Sequence, residues 1–341
     1  MSPNRNDDPD AYDSYEDQFD PLKTDRKARR ARKPSANPHR HKAQDNVTDE
    51  LVKTEAVEAG TILRTTYTPG IFESGWLLDA IRPFFDDMLV TDILGAVKGG
   101  KEASVYRCAA NPATGHELLA AKVYRPRQFR NLRNDVAYRE GREYLAGDNG
   151  ALNEGDKREM RAIRSKSAYG VSLQHGSWMN YEFTTLQMLR SVGASVPEPI
   201  SISENAILMS YVGDTSMAAP TLSQVSLDED EAHLLFDEVL RNIRLLLQAG
   251  WIHGDLSAYN ILYWEGAVTL IDFPQVTNAH ANRAAKTILY RDVERVCSYF
   301  EKQGVQCDSL TVADRLWRGY LDTYQTVRAA EQSVLDTRFL D

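Results

Sequence analysis

The segment His253-Gly254-Asp255-Leu256-Ser257-Ala258-Tyr259-Asn260, followed by Ile271-Asp272-Phe273, constrains this chain more than any other. It carries an acid, an amide five residues on, and a second acid after one predicted hairpin. For these to meet, the chain needs a firm helix in front of the loop and a tight turn behind it. Both are legible. Residues 227–249 (LDEDEAHLLFDEVLRNIRLLLQA) form the clearest amphipathic helix, acidic at its N-terminus and basic in its second half, with Gly250 placed to end it. Residues 261–273 (ILYWEGAVTLIDF) read as a hairpin turning at Glu265-Gly266, which places Asn260 and Asp272 at opposite ends of paired strands.

Upstream, residues 74–88 show apolar positions at helical spacing: Trp76, Leu77, Ala80, Ile81, Phe84, Phe85 and Met88. Pro83 predicts a kink or short break there. Three strands follow at 90–97, 103–109 and 117–125, with the last two joined by a turn at 111–115, which suits an antiparallel meander. Residues 125–175 form a polar, weakly patterned insert. Trp178, Glu182, Leu186 and Leu189 then predict a helix over 176–191. Two further strands are expected at 196–200 and 206–212, and the C-terminal part reads as mostly helical. No internal repeat is visible. Strands first and helices afterwards predict an α+β protein with a small sheet lobe and a larger helical lobe.

Composition narrows the class. The 341 residues carry 40 basic and 49 acidic side chains, a formal net charge of −9. No apolar run approaches the roughly 18 residues of a membrane span, and the acidic N-terminus lacks the apolar core of a signal peptide. Cys108, Cys297 and Cys307 offer no disulfide framework and no metal-ligand spacing, so a reducing cytoplasm is the natural expectation. The charge is arranged in blocks. Residues 1–60 are poor in apolar residues and are expected to form a disordered arm. Within it, residues 23–42 hold nine bases against Asp25 alone. The Arg29–Lys33 cluster suits RNA or another polyanion, while a solvated tail resting weakly on the acidic body is the plainer alternative. Residues 61–341 are read as one folded unit: a leading helical segment (61–94), a sheet lobe (95–212) containing the insert, and a helical lobe (213–341).

Three groups of residues carry chemistry. In phosphoryl transfer, an acid such as Asp255 accepts or orients the proton of the attacking hydroxyl. Oxygen ligands such as Asn260 and Asp272 hold Mg²⁺ against nucleotide phosphates. The stretch Gly99-Gly100-Lys101-Glu102-Ala103-Ser104-Val105-Tyr106 looks like a phosphate-covering loop between strands. Registered on Val105, it keeps only Gly100 of three spaced glycines, with Lys98 and Ala103 in place of the others; Ser104 adds a hydroxyl. Taken alone, it could equally be a plain hairpin turn. Third, Lys122 in Ala120-Ala121-Lys122-Val123-Tyr124 lies among apolar neighbours and needs a partner. Glu182 is the leading candidate, with Glu140 and Glu143 as rivals. The bland alternative is a surface lysine on an edge strand. His253 is read as a brace of the loop, Arg291 and Asp292 as its anchors from the following helix, and Tyr106, Tyr124 and Tyr181 as packing residues.

These motifs resemble one family closely: the RIO kinases, atypical serine/threonine kinases and ATPases. GKEASVY, AAKVYR, the insert before the Glu182 helix, HGDLSAYN and IDFPQ carry the resemblance, which runs from about residue 74 to 325 and points to the first, non-winged-helix subfamily. The resemblance implies a protein-kinase-like fold with a reduced helical lobe, using ATP and Mg²⁺. It makes Asp255, Lys122 and Glu182 catalytic and Asn260 and Asp272 metal-binding. Gly99, Gly100, Lys101, Ser104, Val105 and Lys122 would line the nucleotide phosphates. Met209, Ser210 and Val212 would form the adenine hinge, although Ser210 stands where an acid is expected. Gly254 replaces the arginine of ordinary kinases, Phe273-Pro274 replaces Phe-Gly, and no Ala-Pro-Glu follows, so an extended activation loop is missing. The implied substrate is a protein, or the chain itself. Small-molecule phosphotransfer of the aminoglycoside or choline kinase type shares HGDL…N…IDF, but GKEASVY, AAKVYR and Pro274-Gln275 point away from it. An ATP-gated switch on a ribosomal or other RNA-containing particle, engaged through residues 23–42, is a further alternative.

Overall fold

The computed structural model describes residues 65–99, 103–124 and 168–338, together with residues 145–146, 150–151, 158, 161 and 165. The arm 1–60, most of the insert, Gly100, Lys101, Glu140 and Glu143 lie outside the described residues.

Helix α1 (Ile71–Asp86) leads into strands β1 (Val90–Gly99), β2 (Ala103–Ala110) and β3 (Leu118–Tyr124). A two-strand ribbon, β4 (Leu145–Ala146) and β5 (Gly150–Ala151), precedes helix α2 (Ala168–Ser191). Strands β6 (Pro199–Ile202) and β7 (Ala206–Ser210) complete a five-stranded sheet in the order β1-β2-β3-β7-β6, with every neighbouring pair antiparallel. One face of this sheet packs on α1. Leu77, Ala80, Ile81 and Phe84 recur every three or four residues and bury against Ile93, Tyr106, Leu119, Val123 and Leu208. Each of the large side chains contributes roughly 1.5–3 kcal/mol by leaving water. The expected break at Pro83 does not occur: α1 runs unbroken to Asp86, with its preceding turns held against the sheet by buried Leu77, Ala80, Ile81 and Phe84. Glu73 clips α1 in place. Its carboxylate accepts from the Gly70 N–H (3.2 Å), the Tyr67 hydroxyl (2.9 Å) and the Tyr106 hydroxyl of β2.

The helical lobe is built on α3 (Glu229–Gln248), with α4 (Ala285–Glu301) and α5 (Ser309–Arg338) beside it. Asp228 caps α3 by accepting from the Glu231 N–H (2.8 Å), and three acids occupy the first turn, where the helix dipole favours them. Between α3 and α4 run β8 (Trp251–Ile252), a 3₁₀ turn (Ala258–Asn260), β9 (Ile261–Trp264), β10 (Ala267–Leu270) and β11 (Thr277–Asn278). Strands β9 and β10 pair in register from Ile261↔Leu270 to Trp264↔Ala267. Their turn has positive φ at both Glu265 (49°) and Gly266 (76°), the geometry that matches strand twist. Strand β8 pairs with β11, so the chain entering the loop at 253 is tied to the chain leaving Asp272. The result is the expected small antiparallel sheet lobe and mainly helical lobe. No helix among the described residues is long and apolar enough to cross a membrane.

Two sequence expectations are corrected. Helix α2 begins at Ala168 rather than 176, inside the stretch read as insert, because its first turns lack an apolar stripe to signal them. Cys297 of α4 and Cys307 ahead of α5 are joined as a disulfide, with Cα atoms 5.7 Å apart, where no disulfide was expected. The turn after α4 brings residue 307 back beside the helix, and a spacing of 10 residues alone does not reveal that. Closing so short a loop restrains the unfolded chain by about 3 kcal/mol at most. Cys307→Ser should therefore lower the thermal unfolding midpoint, and reductant should lower that of the wild type but not that of the variant.

Candidate active site

Lys122 sits on β3, where alternation divides the strand between two faces. Leu119, Ala121 and Val123 point to the α1 side, while Ala120, Lys122 and Tyr124 point to the α2 side. On that second face Lys122 reaches Glu182 of α2. Lys122 Nζ lies 2.6 Å from Glu182 Oε1 and 2.6 Å from Asp272 Oδ1. The side chains of Lys122 and Glu182 are 12% and 2% exposed. Burial alone would lower the Lys122 pKa, but Asp272 and Glu182 outweigh it and hold the ammonium well above its ordinary range. For Asp272, burial is the strongest single influence and pulls upward, but the Lys122 charge, the hydrogen bond from Lys122 and smaller neighbouring contributions together outweigh it and leave the carboxyl below its usual value. The second oxygen of Glu182 accepts from the Tyr124 hydroxyl, so Tyr124 orients this carboxylate as well as packing edge-on against Trp178 (4.8 Å between ring centres). Trp178 Nε1 in turn donates to the Pro274 carbonyl (3.3 Å), linking α2 to the segment after Asp272.

The loop from 253 to 260 is pinned by backbone bonds. The His253 ring nitrogen Nδ1 accepts from the Asp255 N–H (3.3 Å), which leaves Nε2 to donate to the Ile271 carbonyl (3.1 Å). Gly254 is held on both sides by α4: its N–H donates to Asp292 Oδ2 (2.8 Å), and its carbonyl accepts from Arg291. It has φ +85°, and a Cβ there would collide with the Gln275 backbone oxygen. Only glycine combines that backbone with that approach. Asn260 Nδ2 donates to the Asp255 carbonyl (2.9 Å) and to Asp255 Oδ2 (3.2 Å), and the Asn260 carbonyl accepts from the Ile271 N–H (3.0 Å). Antiparallel pairing thereby brings Asn260 and Asp272 to the same open end of the β9–β10 hairpin, rather than to the opposite ends expected from the sequence, because the two strands run in opposite directions. Asp272 has φ +70°, which turns its carboxylate out of the strand line toward Lys122.

Sequence reasoning missed the partner of Asp255. Arg295 Nη1 donates to Asp255 Oδ1 at 2.7 Å, and both side chains are buried. Burial raises the Asp255 pKa, and Arg295 and then Arg291 counter that only in part. The signal was available: on a helix, residue 295 shares a face with 291 and 292.

The remaining candidates are placed as follows. Gly99 ends β1 and pairs with Ser104, so the Gly-rich turn does join two sheet strands. Val105 pairs with Lys122 and shares its face. Ser104 does not: its buried side chain lies on the opposite face, where its hydroxyl meets Tyr106. Alternation allows only one of the two neighbours to face Lys122, and the register gives that place to Val105. Met209 is buried beside Ala120 on the Lys122 face. The Ser210 hydroxyl accepts from the Glu198 N–H (2.8 Å), and the Ser210 N–H donates to the Glu198 carbonyl (2.8 Å). The Val212 carbonyl accepts from Ala219 N–H (3.0 Å).

A family model described as the RIO domain matches residues 104–313. The chain belongs to the RIO family. It is similar to the RIO-type serine/threonine-protein kinase Rio1 of Haloferax volcanii, 30% identical over 230 residues that cover 67% of this chain and 70% of that protein. It is also similar to serine/threonine-protein kinase RIO1 of Chaetomium thermophilum (30% over 238 residues) and of Homo sapiens (29% over 221 residues). The matches cover 67% and 64% of this chain, but less than half of those longer relatives: 42% and 34%. The RIO match includes β2, β3, α2 and the loop from His253 to Asp272, the elements that assemble the cluster described above.

Gly254→Ala should cost roughly 1–3 kcal/mol through strain at positive φ, and more if Gln275 cannot move aside. A denaturant titration should show the lowered midpoint, with the His253–Asn260 loop opening first in hydrogen exchange.

Proposed function

We propose that this RIO-family chain is an ATP- and Mg²⁺-dependent serine/threonine protein kinase, transferring the γ-phosphate to a protein hydroxyl, its own included. One observation carries the reading: Lys122, Glu182 and Asp272 form one connected ion cluster, beside Asp255 and Asn260 hydrogen-bonded to each other. A permanent ammonium faces the place where phosphate charge must be met. A buried acid stands where a hydroxyl must give up a proton.

In this reading Glu182 and Tyr124 orient Lys122, and Lys122 contacts the nucleotide phosphates. Asp255 orients the incoming hydroxyl and accepts its proton. Asn260 and Asp272 suit a magnesium site by chemistry. Asn260 commits its amide nitrogen to Asp255, which leaves a hard oxygen to offer, and the Asp272 side chain is 40% exposed despite its bond to Lys122. When bound, the metal neutralises phosphate charge during transfer. Val105 and Met209 would close on the nucleotide base from the sheet side, with the backbone from Ser210 to Val212 as hinge. Residues 273–284 connect Asp272 to α4 without a long activation segment, so the substrate would dock by a surface other than such a segment. A cytoplasmic setting, and contact of residues 23–42 with a ribosomal or other RNA-containing partner, belong to the same proposal.

Purified protein given labelled ATP and Mg²⁺ should phosphorylate itself or a protein acceptor. Asp255→Ala should abolish this, and unchanged labelling would sink the reading. Asp272→Asn should reduce transfer by at least about 10²–10³-fold, the usual loss of an electrostatic stabiliser, with the deficit partly relieved at high Mg²⁺. Lys122→Met should also be inactive while keeping the fold by circular dichroism.

A further inference from the structure

Helix α4 turns three charged side chains, Arg291, Asp292 and Arg295, toward the 253–260 loop. The first two hold the backbone of Gly254. Arg295 reaches the side chain of the acid itself. We propose that Arg295 is a positioning residue for phosphoryl transfer: by holding Oδ1 of Asp255, it fixes the carboxylate so that Oδ2, on the Asn260 side, is presented to the incoming hydroxyl. This rests on the reading of Asp255 as the residue that orients that hydroxyl.

The geometry supports it in three ways. First, the carboxylate is held at both ends. Arg295 Nη1 lies 2.7 Å from Oδ1 and Asn260 Nδ2 lies 3.2 Å from Oδ2, so rotation of the carboxylate breaks one contact or the other. Second, the Arg295 and Asp255 side chains are only 4% and 11% exposed. Taking two charges out of water is costly, and such a pair adds little net stability compared with apolar residues of the same size. A stabilising role therefore explains it poorly, whereas an orienting role at the loop acid explains its place. Third, Gly254 leaves the loop without a cationic side chain beside the acid. The charge that holds Asp255 has to come from outside the loop, and α4 supplies it.

The test uses the full chain with Mg²⁺-ATP and compares Arg295→Met, Arg295→Lys and wild type. Arg295→Met should lower kcat by about 10²-fold, the loss expected when a reacting group is displaced by about 1 Å. KM for ATP should stay within about twofold, because the Lys122 cluster is untouched. Arg295→Lys, which keeps a donor and a charge, should recover part of the lost kcat. If Arg295→Met does not fold, Arg295→Gln replaces it, with at least about a tenfold fall in kcat expected at unchanged KM. Wild-type kcat in the folded Met or Gln variant would overturn the inference. So would a lowered melting temperature with normal turnover per folded molecule, since that marks a purely structural pair. Asp255→Ala separates the two ideas: if it is active, both fail, and if it is inactive while Arg295→Met is fully active, only the role of Arg295 fails.

Discussion

The Lys122 ammonium is the point on which the rest of the structure depends. Buried on β3, it is tolerated because carboxylates from two other places, Glu182 on α2 and Asp272 after β10, meet it at 2.6 Å each. Removing one partner of such a buried set typically costs about 3–5 kcal/mol, since the other charge is left without compensation. The cluster therefore couples three elements. The sheet cannot shift relative to α2 without opening Lys122–Glu182, and the hairpin end cannot withdraw without opening Lys122–Asp272. Tyr124 and Trp178 extend the coupling, the first to the far oxygen of Glu182 and the second to Pro274. Helix α2 is thus tied to both the strand and the loop that carry its partners.

A second constraint is backbone geometry at Gly254. Here the loop passes so close to Gln275 that no side chain fits, and α4 grips both the N–H and the carbonyl. The substitution of glycine for arginine, which looks like a loss in the sequence, is what permits this approach. The charges that the loop lacks are supplied by α4, where a helical repeat delivers Arg291, Asp292 and Arg295 on one face. The loop is held from behind by a helix rather than from the front by a long segment.

Much of the site was legible because its residues sit at short, fixed separations. Asp255 and Asn260 are linked by one turn, and the hairpin that returns the chain to Asp272 is declared by Glu265-Gly266. The pairing of Lys122 with Glu182 could be narrowed by helical periodicity but not decided, since the two are 60 residues apart. What stayed illegible depended on faces and on approach. Ser104 and Val105 are equally plausible in a Gly-rich turn, and only the register of β2 against β3 sends Val105 to the Lys122 face and Ser104 to Tyr106. The early start of α2, the unbroken passage through Pro83 and the Cys297–Cys307 bridge each followed from packing or chain return that local pattern does not encode.

By itself, the sequence determined the order of elements, the two-lobed α+β class and the identity of the residues able to carry out phosphoryl chemistry, because those follow from residue type and local spacing. Tertiary structure decided which of them meet. A buried charge must find its partner across the fold, and that partner is set by where β3, α2 and the β9–β10 hairpin are packed. The helix face that Arg295 shares with Arg291 and Asp292 was legible in the sequence, but the contact of Arg295 was not. Its bond to Asp255 spans 40 residues and exists only because α4 docks behind the loop, burying two opposite charges that can be tolerated only together.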